Sequence, residues 1–435
     1  MHLSNTVIQA FFGFIFLMLV AVLFSDSKKS INWRLVLSAF VLQNIIFLLI
    51  CYVPIVGNVV SHVSGALVSL LEYAKDGARF IFGDLVDSKK FGFIFLIVVV
   101  PTLVFFSSLV SILYFFGIIQ RVIAVLAFCL RKTVKLSGSE SLVVIADIFL
   151  GQVEGPLVIG PYIKSMTRSE LACAFVAGMA NLSGSTLGMY LVFLSGGDQQ
   201  QALLFANYLV SATFINALSA IAFAKILFPE TDFEHVSTEK VQVAGHFSSN
   251  LVDSIFVGAM TGLKVGASLI AVLLAVISLV HLLDGILAWF GDLIHINQYI
   301  KASTNGVFKD LSLEYILGQI FRIFAFFMGI SWAETLKVGS LLGQKVALNE
   351  FVAYISLGQM KTESALSASA IYIATFALAS FSNFSSIGIS LGTFSVLAPS
   401  RQKELTELAV KALLGAVLAG FMTATVAGFW RGIFG

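Results

Sequence analysis

The sequence predicts an all-α polytopic membrane protein with about eight transmembrane helices and two re-entrant helical hairpins. The chain has 435 residues, of which 58% are hydrophobic and only 11% are charged. That charged share is less than half of the share in a typical soluble domain. Apolar runs long enough to cross a bilayer recur along the chain, and two more contain helix-breaking polar residues near their middle.

Composition also excludes several classes of protein. The net charge is +2, which gives no basis for nucleic-acid binding. Cys51, Cys129 and Cys173 lie in apolar segments without redox or metal-site spacing, so we interpret them as packing residues and expect no resident cofactor. The first apolar run, 7–24, lacks a basic leader and a small-residue cleavage site. We therefore interpret it as a transmembrane helix and not as a signal peptide.

Eight apolar segments are expected to cross the bilayer, and two of them carry a polar interruption. They are 7–24, 36–53, 91–116, 168–193 (interrupted at 181–185), 202–228, 255–283, 365–397 (interrupted at 381–386) and 412–430. Other segments are mixed in character. We expect an interfacial helix or shallow collar at 54–90, polar loops at 229–243 and 399–411, an amphipathic segment at 284–311, and an embedded, non-crossing helix at 312–331.

The first hairpin follows Leu136 and carries the hexapeptide Gly-Gln-Val-Glu-Gly-Pro at 151–156. Gly and Pro stop a helix, and each flanking arm of 10–15 residues would be about 15–22 Å long, short of a full crossing. The sequence therefore predicts a re-entrant helical hairpin with a polar tip near the membrane midplane. Thr167 and Glu170 form a capping-box pattern, which starts a new helix near Arg168.

A second hairpin is expected at 332–358, around Asn349 and Glu350. Like the first, it has a carboxylate near its tip and is followed by a broken helix and a span. Lys and Arg cluster in the loops at 28–34, 131–135, 164–168 and 401–411, which predicts that these loops are cytoplasmic. The two hairpins then open to opposite sides, as in the inverted repeats of secondary transporters.

This repeat predicts four parts of the chain. They are scaffold elements at 1–135, a first transport repeat at 136–228, a scaffold segment at 229–331 and a second transport repeat at 332–435. The substrate would bind where the polar interruptions of the two repeats meet.

Five polar side chains are expected to surround the substrate, without any Lys or Arg among them: Gln152, Glu154, Glu350, Asn383 and Ser386. Such a set favours a polar ligand that is uncharged or cationic. Carboxylates accept strong hydrogen bonds from sugar hydroxyls, and amides pair with the edge of a nucleobase. Phe381 would pack against a flat ring.

A cation site is expected near Asp147, one helical turn before Gly151. Carbonyls freed at the hairpin tip and the broken helix at Asn181, Ser183 and Ser185 would complete an oxygen cage for a small hard cation. Two alternatives remain open. Asp147 would instead carry a proton, since desolvation can hold an intramembrane carboxylate neutral. The two serines would equally serve close helix packing.

The chain resembles the concentrative nucleoside transporter family in its bacterial form. The resemblance covers nearly the whole chain and rests on several motifs in order. They are 151–156 (Gly-Gln-Val-Glu-Gly-Pro), 167–171 (Thr-Arg-Ser-Glu-Leu), 348–354 (Leu-Asn-Glu-Phe-Val-Ala-Tyr), 381–388 (Phe-Ser-Asn-Phe-Ser-Ser-Ile-Gly) and 421–428 (Phe-Met-Thr-Ala-Thr-Val-Ala-Gly).

The resemblance implies a homotrimer in the inner or plasma membrane. Each protomer would carry an elevator-like transport domain that imports nucleosides together with a cation. The first-hairpin residues would contact the base, and the second-hairpin Glu with the Asn and Ser of its broken helix would hold the ribose. Carried over, the substrate residues are Gln152, Val153, Glu154, Glu350, Phe381, Asn383 and Ser386. The implied sodium ligands are Asp147, Leu150 and Ser183, with the region 181–185.

Two positions depart from the family pattern. Val153 replaces the usual Thr or Ser between Gln152 and Glu154, which removes a hydroxyl at the base edge. Asp147 replaces the usual Asn, so either sodium or proton coupling fits, with sodium favoured because the neighbouring serines are retained. Two other function classes are considered, an intramembrane hydrolase using Glu154 and Glu350 and a nucleoside sensor without transport. Neither has the accompanying nucleophile, metal set or signalling domain.

Overall fold

A computed structural model describes residues 5–91, 94–236, 249–304 and 306–434, and all regular structure in this part of the chain is helical. The predicted loop at 229–243 therefore lies partly outside the described residues. The first eleven α-helices are α1 Asn5–Leu23, α2 Trp33–Tyr52, α3 Pro54–Phe82, α4 Ser88–Phe91, α5 Phe95–Phe115, α6 Ile118–Val134, α7 Gly138–Phe149, α8 Gly155–Val158, α9 Arg168–Ala180, α10 Gly184–Ser195 and α11 Gln199–Leu227.

The remaining α-helices of the described chain are α12 Leu251–Leu293, α13 Ile296–Ser303, α14 Leu313–Phe327, α15 Thr335–Ala347, α16 Glu350–Thr362, α17 Ala368–Leu378, α18 Phe384–Leu397 and α19 Gln402–Phe434. The all-helical fold class is confirmed. Among the described residues, eight helical segments are long and apolar enough to cross a membrane, which matches the expected number.

One of the eight predicted membrane-spanning segments is exchanged for another in the structure. The segment 54–86 qualifies by length and composition, whereas α17 and α18 are each too short because Asn383 and its neighbours divide them. α3 is a continuous 29-residue helix, so the helical part of the prediction for 54–90 is confirmed. Its charged residues lie together in its last third, and its interfacial placement stays a prediction.

Burial divides the helices into a central and a peripheral group. In the spanning windows of α11 and α19, 94% and 89% of the residues are buried inside the protein, whereas in α12 only 11% are buried. α12 lies along α5, where Gly258 and Gly262 allow its backbone to approach the α5 backbone. The broken helices and α7 of the first hairpin therefore pack around α11 and α19, whereas α15 of the second hairpin packs along α14. α12 presents an apolar surface outward.

The first hairpin is less regular than predicted. α7 forms its incoming arm, but the outgoing arm contains only the four-residue α8 and a short 3₁₀ turn at Gly160–Tyr162. The expectation of two helical arms is therefore wrong for this hairpin. Pro156 and Pro161 lack the amide hydrogen that a regular helix needs, and each starts a new short turn.

The second hairpin and both helix breaks agree with the sequence analysis. α15 and α16 form two 13-residue arms that contact each other around Asn349. α9 ends at Ala180 before α10 begins at Gly184, and α17 ends at Leu378 before α18 begins at Phe384. The Thr167–Glu170 capping box is present at the start of α9.

Two other boundaries differ from the prediction. The segment 399–411 is not a loop, because α19 begins at Gln402, where Glu404 in the first turn suits the helix N-terminus. α12 continues to Leu293, well past the expected end of that span at residue 283. In both cases the helix extends beyond the apolar run that was used to predict it.

The two hairpins open toward opposite ends of the bundle. Beside the open end of the first hairpin, Lys225 at the end of α11 pairs with Glu140, and the Arg401 guanidinium donates to the Met166 carbonyl at 2.8 Å. At the open end of the second hairpin, the Lys361 ammonium donates to the Leu194 carbonyl at the end of α10, at 2.7 Å. Because α9 and α10 run from one end to the other, the repeats are inverted relative to each other.

Candidate functional site

Glu350 lies at the first position of α16, directly after the second hairpin tip. The Asn349 side chain accepts a hydrogen bond from the Val352 amide at 3.0 Å and so caps the helix. The Glu350 side chain is 1% exposed. A carboxylate at this position is stabilised by the unpaired amides and the positive dipole end of α16.

Two side chains from different elements donate to the Glu350 carboxylate. The Tyr190 hydroxyl of α10 donates to Oε1 at 3.0 Å, and the Asn383 amide donates to Oε2 at 2.8 Å. The structure therefore brings Glu350 and Asn383 together as the sequence predicted, and it adds Tyr190, which sequence reasoning missed. A tyrosine hydroxyl buried in an apolar helix needs a partner, and this is the signal that would have found it.

Asn383 has two functions at once. The side-chain amino group of Asn383 donates to Glu350. Its side-chain oxygen Oδ1 accepts from the Ser386 backbone amide at 2.9 Å and so caps α18. Ser386 lies in the first turn of α18 and is 1% exposed. The broken helix thus directs Asn383 toward the second hairpin tip and places Ser386, buried, in the first turn of α18.

Phe381 links the two repeats. Its ring edge lies 3.6 Å from where a Cβ on Gly151 would be, and the same Cβ would clash with the Ser183 side chain. Gly151 has φ +81°, a conformation that favours glycine. The first hairpin tip therefore fits closely between Ser183 of the first broken helix and Phe381 of the second.

The first-hairpin residues face a cavity of about 270 Å³ between the tip and helices α5 and α12. The exposed Val153 and the part-buried Glu154 line this cavity. The side-chain amide oxygen Oε1 of Gln152 is buried and has no hydrogen-bond partner among the described residues. In this structure Glu154 lies on the cavity and not against Glu350, so the two predicted carboxylates belong to adjoining parts of the site.

The Asp147 carboxylate is the most isolated charged group of the site. Its side chain is fully buried on α7, and neither oxygen has a hydrogen-bond partner within the described chain. A Cβ on Gly155 would overlap Oδ1, and a Cβ on Gly178 would be 3.8 Å from Oδ2. The hairpin turn and α9 therefore both press close to this carboxylate.

The other predicted cation ligands lie beside the same turn. Asn181 follows α9; its amide donates to the Ala177 carbonyl at 3.3 Å, and its buried Oδ1 is unpaired. Ser183 donates to Thr186 at 3.1 Å and also lies 3.0 Å from the Ser185 hydroxyl. Leu150 caps the end of α7, so its carbonyl lies past the last helical turn. The unpaired oxygens of Asn181 and Asp147 suit a hard cation.

The described residues contain no cluster of three His, Cys, Asp or Glu side chains that would hold a metal ion. The donors around Asp147 are instead amide, hydroxyl and carbonyl oxygens. Such a neutral set with a single carboxylate fits a monovalent cation or a proton better than a transition metal.

Three family models match the chain. They are described as "Na+ dependent nucleoside transporter N-terminus" over residues 12–85, "Nucleoside recognition" over 96–196 and "Na+ dependent nucleoside transporter C-terminus" over 208–428. Together they cover most of the chain, including both hairpins.

Individual proteins are similar over nearly their full length. The nucleoside permease NupC of Helicobacter pylori is 34% identical over 430 residues, which is 97% of each chain. An inward-facing, substrate-bound structure of CNTnw is 35% identical with a TM-score of 0.88, covering 99% of both chains. An outward-facing structure of a CNTnw variant is 34% identical with a TM-score of 0.87, covering 99% of this chain and 98% of that one.

Proposed function

The chain belongs to the concentrative nucleoside transporter family, and on this premise we propose that it is a sodium-coupled symporter that imports nucleosides. It is a multi-pass plasma-membrane transporter and not an enzyme. The observation that carries the sodium proposal is the buried Asp147 carboxylate, whose oxygens are unpaired beside the hairpin tip and the broken helix. A buried charge without a partner is unfavourable, and a bound cation would remove that cost.

The proposed substrate contacts divide between the two repeats. Gln152, Val153 and Glu154 would contact the base from the first hairpin tip, where Val153 offers an apolar surface in place of a hydroxyl. Glu350, Asn383 and Ser386 would hold the ribose hydroxyls, with Phe381 beside the ring. The closely paired Glu350 and Asn383 support this assignment, because a preformed acceptor loses little side-chain entropy on binding.

We further propose an elevator-like alternating access within a homotrimer. The division into buried, broken elements around α11 and α19 and exposed helices such as α12 supports a moving unit within a fixed frame. Coupling follows if the cation orders the first hairpin tip before the nucleoside binds. Each ligand would then raise the affinity for the other by the same factor.

Proton coupling through Asp147 is the second candidate. The same observation favours it, because a carboxylate with no partner is also stable when it is protonated. In that case the proton, and not sodium, would enter with the nucleoside.

Uptake of labelled uridine and adenosine into proteoliposomes tests the proposal. We expect accumulation under an inward sodium gradient at equal pH on both sides, and none under an inward proton gradient without sodium. Accumulation under the proton gradient alone would mean that Asp147 carries a proton and does not bind sodium. Failure of both nucleosides under both gradients would contradict the proposed substrate class.

A further inference from the structure

A lysine is buried inside the second repeat without an acidic partner at ion-pair distance in the described part of the chain. Lys345 of α15 is 0% exposed, and its ammonium donates to the Ala377 carbonyl at 2.8 Å. It also lies 5.7 Å from the centre of the Phe421 ring. Burying an ammonium is costly, so this position requires compensation from the surrounding groups.

Three features supply that compensation. Ala377 is next to the last residue of α17, so its carbonyl belongs to the negative end of the helix dipole. A Cβ on Gly420 would lie 3.1 Å from the Lys345 ammonium and 3.0 Å from the Ser380 hydroxyl, which places both groups around one small space. The buried Glu350 carboxylate lies at the same hairpin tip, five residues after Lys345, and contributes negative charge. The ammonium thus contacts the Ala377 carbonyl and lies near the Ser380 hydroxyl at the second helix break.

The equivalent position of the first repeat carries the opposite charge. Lys345 stands three residues before Leu348, the residue that caps the end of α15. Asp147 likewise stands three residues before Leu150, the residue that caps the end of α7. Both side chains are fully buried and both lie beside the helix break of their own repeat.

The carbonyls at the two breaks also correspond. Ala377 lies six residues before Asn383, the cap of α18, and Ala177 lies six residues before Ser183, the cap of α10. The Ala377 carbonyl accepts from Lys345, whereas the Ala177 carbonyl accepts from the neutral amide of Asn181. One break therefore contains a covalently attached cation, and the other contains a carboxylate whose oxygens have no hydrogen-bond partner among the described residues.

We propose that Lys345 is a tethered cation, which occupies in the second repeat the position that the soluble coupling ion occupies in the first. It holds the carbonyl end of α17 and balances the charge of Glu350 throughout transport. Lys345 is a positioning residue, because it acts on the substrate site through Glu350 and the helix break. A single exchangeable cation per protomer follows, at Asp147. This inference deepens the proposed function and rests on it for the identity of the soluble ion.

The test is to remove the ammonium and ask whether soluble sodium replaces it. Lys345→Ser opens space beside Ala377, Ser380 and Glu350, so a sodium ion can enter. We measure labelled uridine binding to the purified protein in detergent while sodium is replaced by choline at constant ionic strength. In a plot of log affinity against log sodium concentration, we expect the slope of Lys345→Ser to exceed the wild-type slope by about one.

Two control variants separate this effect from general damage. Lys345→Met also removes the charge, but its side chain fills the space, so we expect weaker binding without an added sodium slope. Lys337→Ser removes another lysine of α15, one that donates to the Ala365 carbonyl at 2.9 Å, and should keep the wild-type slope. Equal slopes in wild type and Lys345→Ser, or an equal gain in Lys345→Met, would overturn the proposal.

If a variant binds uridine too weakly to measure, its thermal unfolding midpoint is measured in the same series of sodium and choline concentrations. The unfolding midpoint of Lys345→Ser should rise more steeply with sodium than that of wild type. A variant that stays unfolded in sodium as in choline would also overturn the proposal. This test of Lys345 does not depend on whether the coupling ion is sodium or a proton. A proton-coupled wild type would have no sodium slope, but Lys345→Ser would still acquire one.

Discussion

At the scale of single residues, Glu350 connects the elements of the candidate site around the second hairpin tip. Its two oxygens each accept a hydrogen bond, from Tyr190 and from Asn383, and these donors come from different repeats. A hydrogen bond to an ionised group contributes about 1.5–3 kcal/mol, roughly twice the value for a neutral pair. Glu350 therefore connects both broken helices, and under the proposed function its remaining acceptor capacity would serve the ribose hydroxyls.

Glu350→Gln should abolish nucleoside uptake with little loss of folded protein. The glutamine keeps the volume but places an amide donor against Tyr190 or Asn383, and it cannot accept strong hydrogen bonds from the substrate. We expect uridine affinity to fall roughly ten- to a hundredfold. Uptake in proteoliposomes and binding in detergent measure this.

Glu363→Gln is the matched control, because Glu363 is an exposed acid just after the same helix. It should transport like wild type, and the thermal unfolding midpoint of both variants should lie within about 4 °C of the wild-type value. Normal uptake by Glu350→Gln would remove this residue from the substrate site.

Residue chemistry was predictable from the sequence where it depended on an intramembrane charge. Glu350 and Asn383 stand out because polar groups within an apolar segment need partners, and the structure pairs them. The Tyr190 hydroxyl in an apolar helix signals that a hydrogen-bond partner is needed, but the sequence does not identify that partner. Its direction toward Glu350 depends on how α10 and α16 pack, which no local pattern specifies.

At the scale of elements, the first hairpin is built around the Asp147 carboxylate. Gly155 begins α8 directly against this carboxylate, and any Cβ there would overlap Oδ1. Glycine at this position therefore serves a close approach and not a turn conformation. The short outgoing arm lets the chain pass over Asp147 where a regular helix of full diameter would not fit.

Gly155→Ala should displace the Asp147 carboxylate and weaken cation-dependent uptake. Overpacking of a filled site typically costs about 1–3 kcal/mol, and here the strain falls on the proposed cation ligand. We expect a higher sodium concentration for half-maximal uptake, together with a lower unfolding midpoint in sodium.

Gly160→Ala provides the comparison within the same arm. Its added Cβ would meet only the Leu397 side chain at 3.6 Å, an ordinary contact. This variant should keep the wild-type sodium dependence. An unchanged sodium dependence in Gly155→Ala would show that Asp147 does not need its observed position.

Element boundaries were predictable only where a cap or a breaker marks them. The Thr167–Glu170 box located the start of α9, and Asn181–Ser185 located its break. The extent of α12 and the start of α19 were missed. Polar residues at a helix end can continue the helix when solvent or neighbouring segments form hydrogen bonds with their side chains. The irregular outgoing arm was missed because its apolar residues resemble those of a helix.

At the scale of the whole molecule, charged loops from distant parts of the chain meet at one end of the bundle. Asp26 after α1 pairs with Lys411 of α19 and lies 4.0 Å from Arg168, which is 3.7 Å from Glu407. The predicted cytoplasmic loops therefore do share one end. Which side of the membrane that end faces stays a prediction from the distribution of basic residues.

The inverted repeat was visible in the order of tips and breaks, but the asymmetry between its halves required the structure. Only the three-dimensional arrangement shows that Asp147 and Lys345 occupy equivalent buried positions with opposite charge. The sequence spacing between each hairpin tip and its helix break differs, so alignment of the two halves by residue number alone hides the correspondence. The four-part division of the chain likewise stays a prediction.

The most direct test of the account is whether sodium itself enters with the nucleoside. Uptake of radioactive sodium into proteoliposomes should be measured with and without external uridine, at equal pH on both sides, for wild type and for Asp147→Ala. If sodium binds at Asp147 and enters with the nucleoside, uridine will stimulate sodium entry in wild type and will have no such effect in Asp147→Ala. Uridine entry without any accompanying sodium entry in wild type would contradict the account.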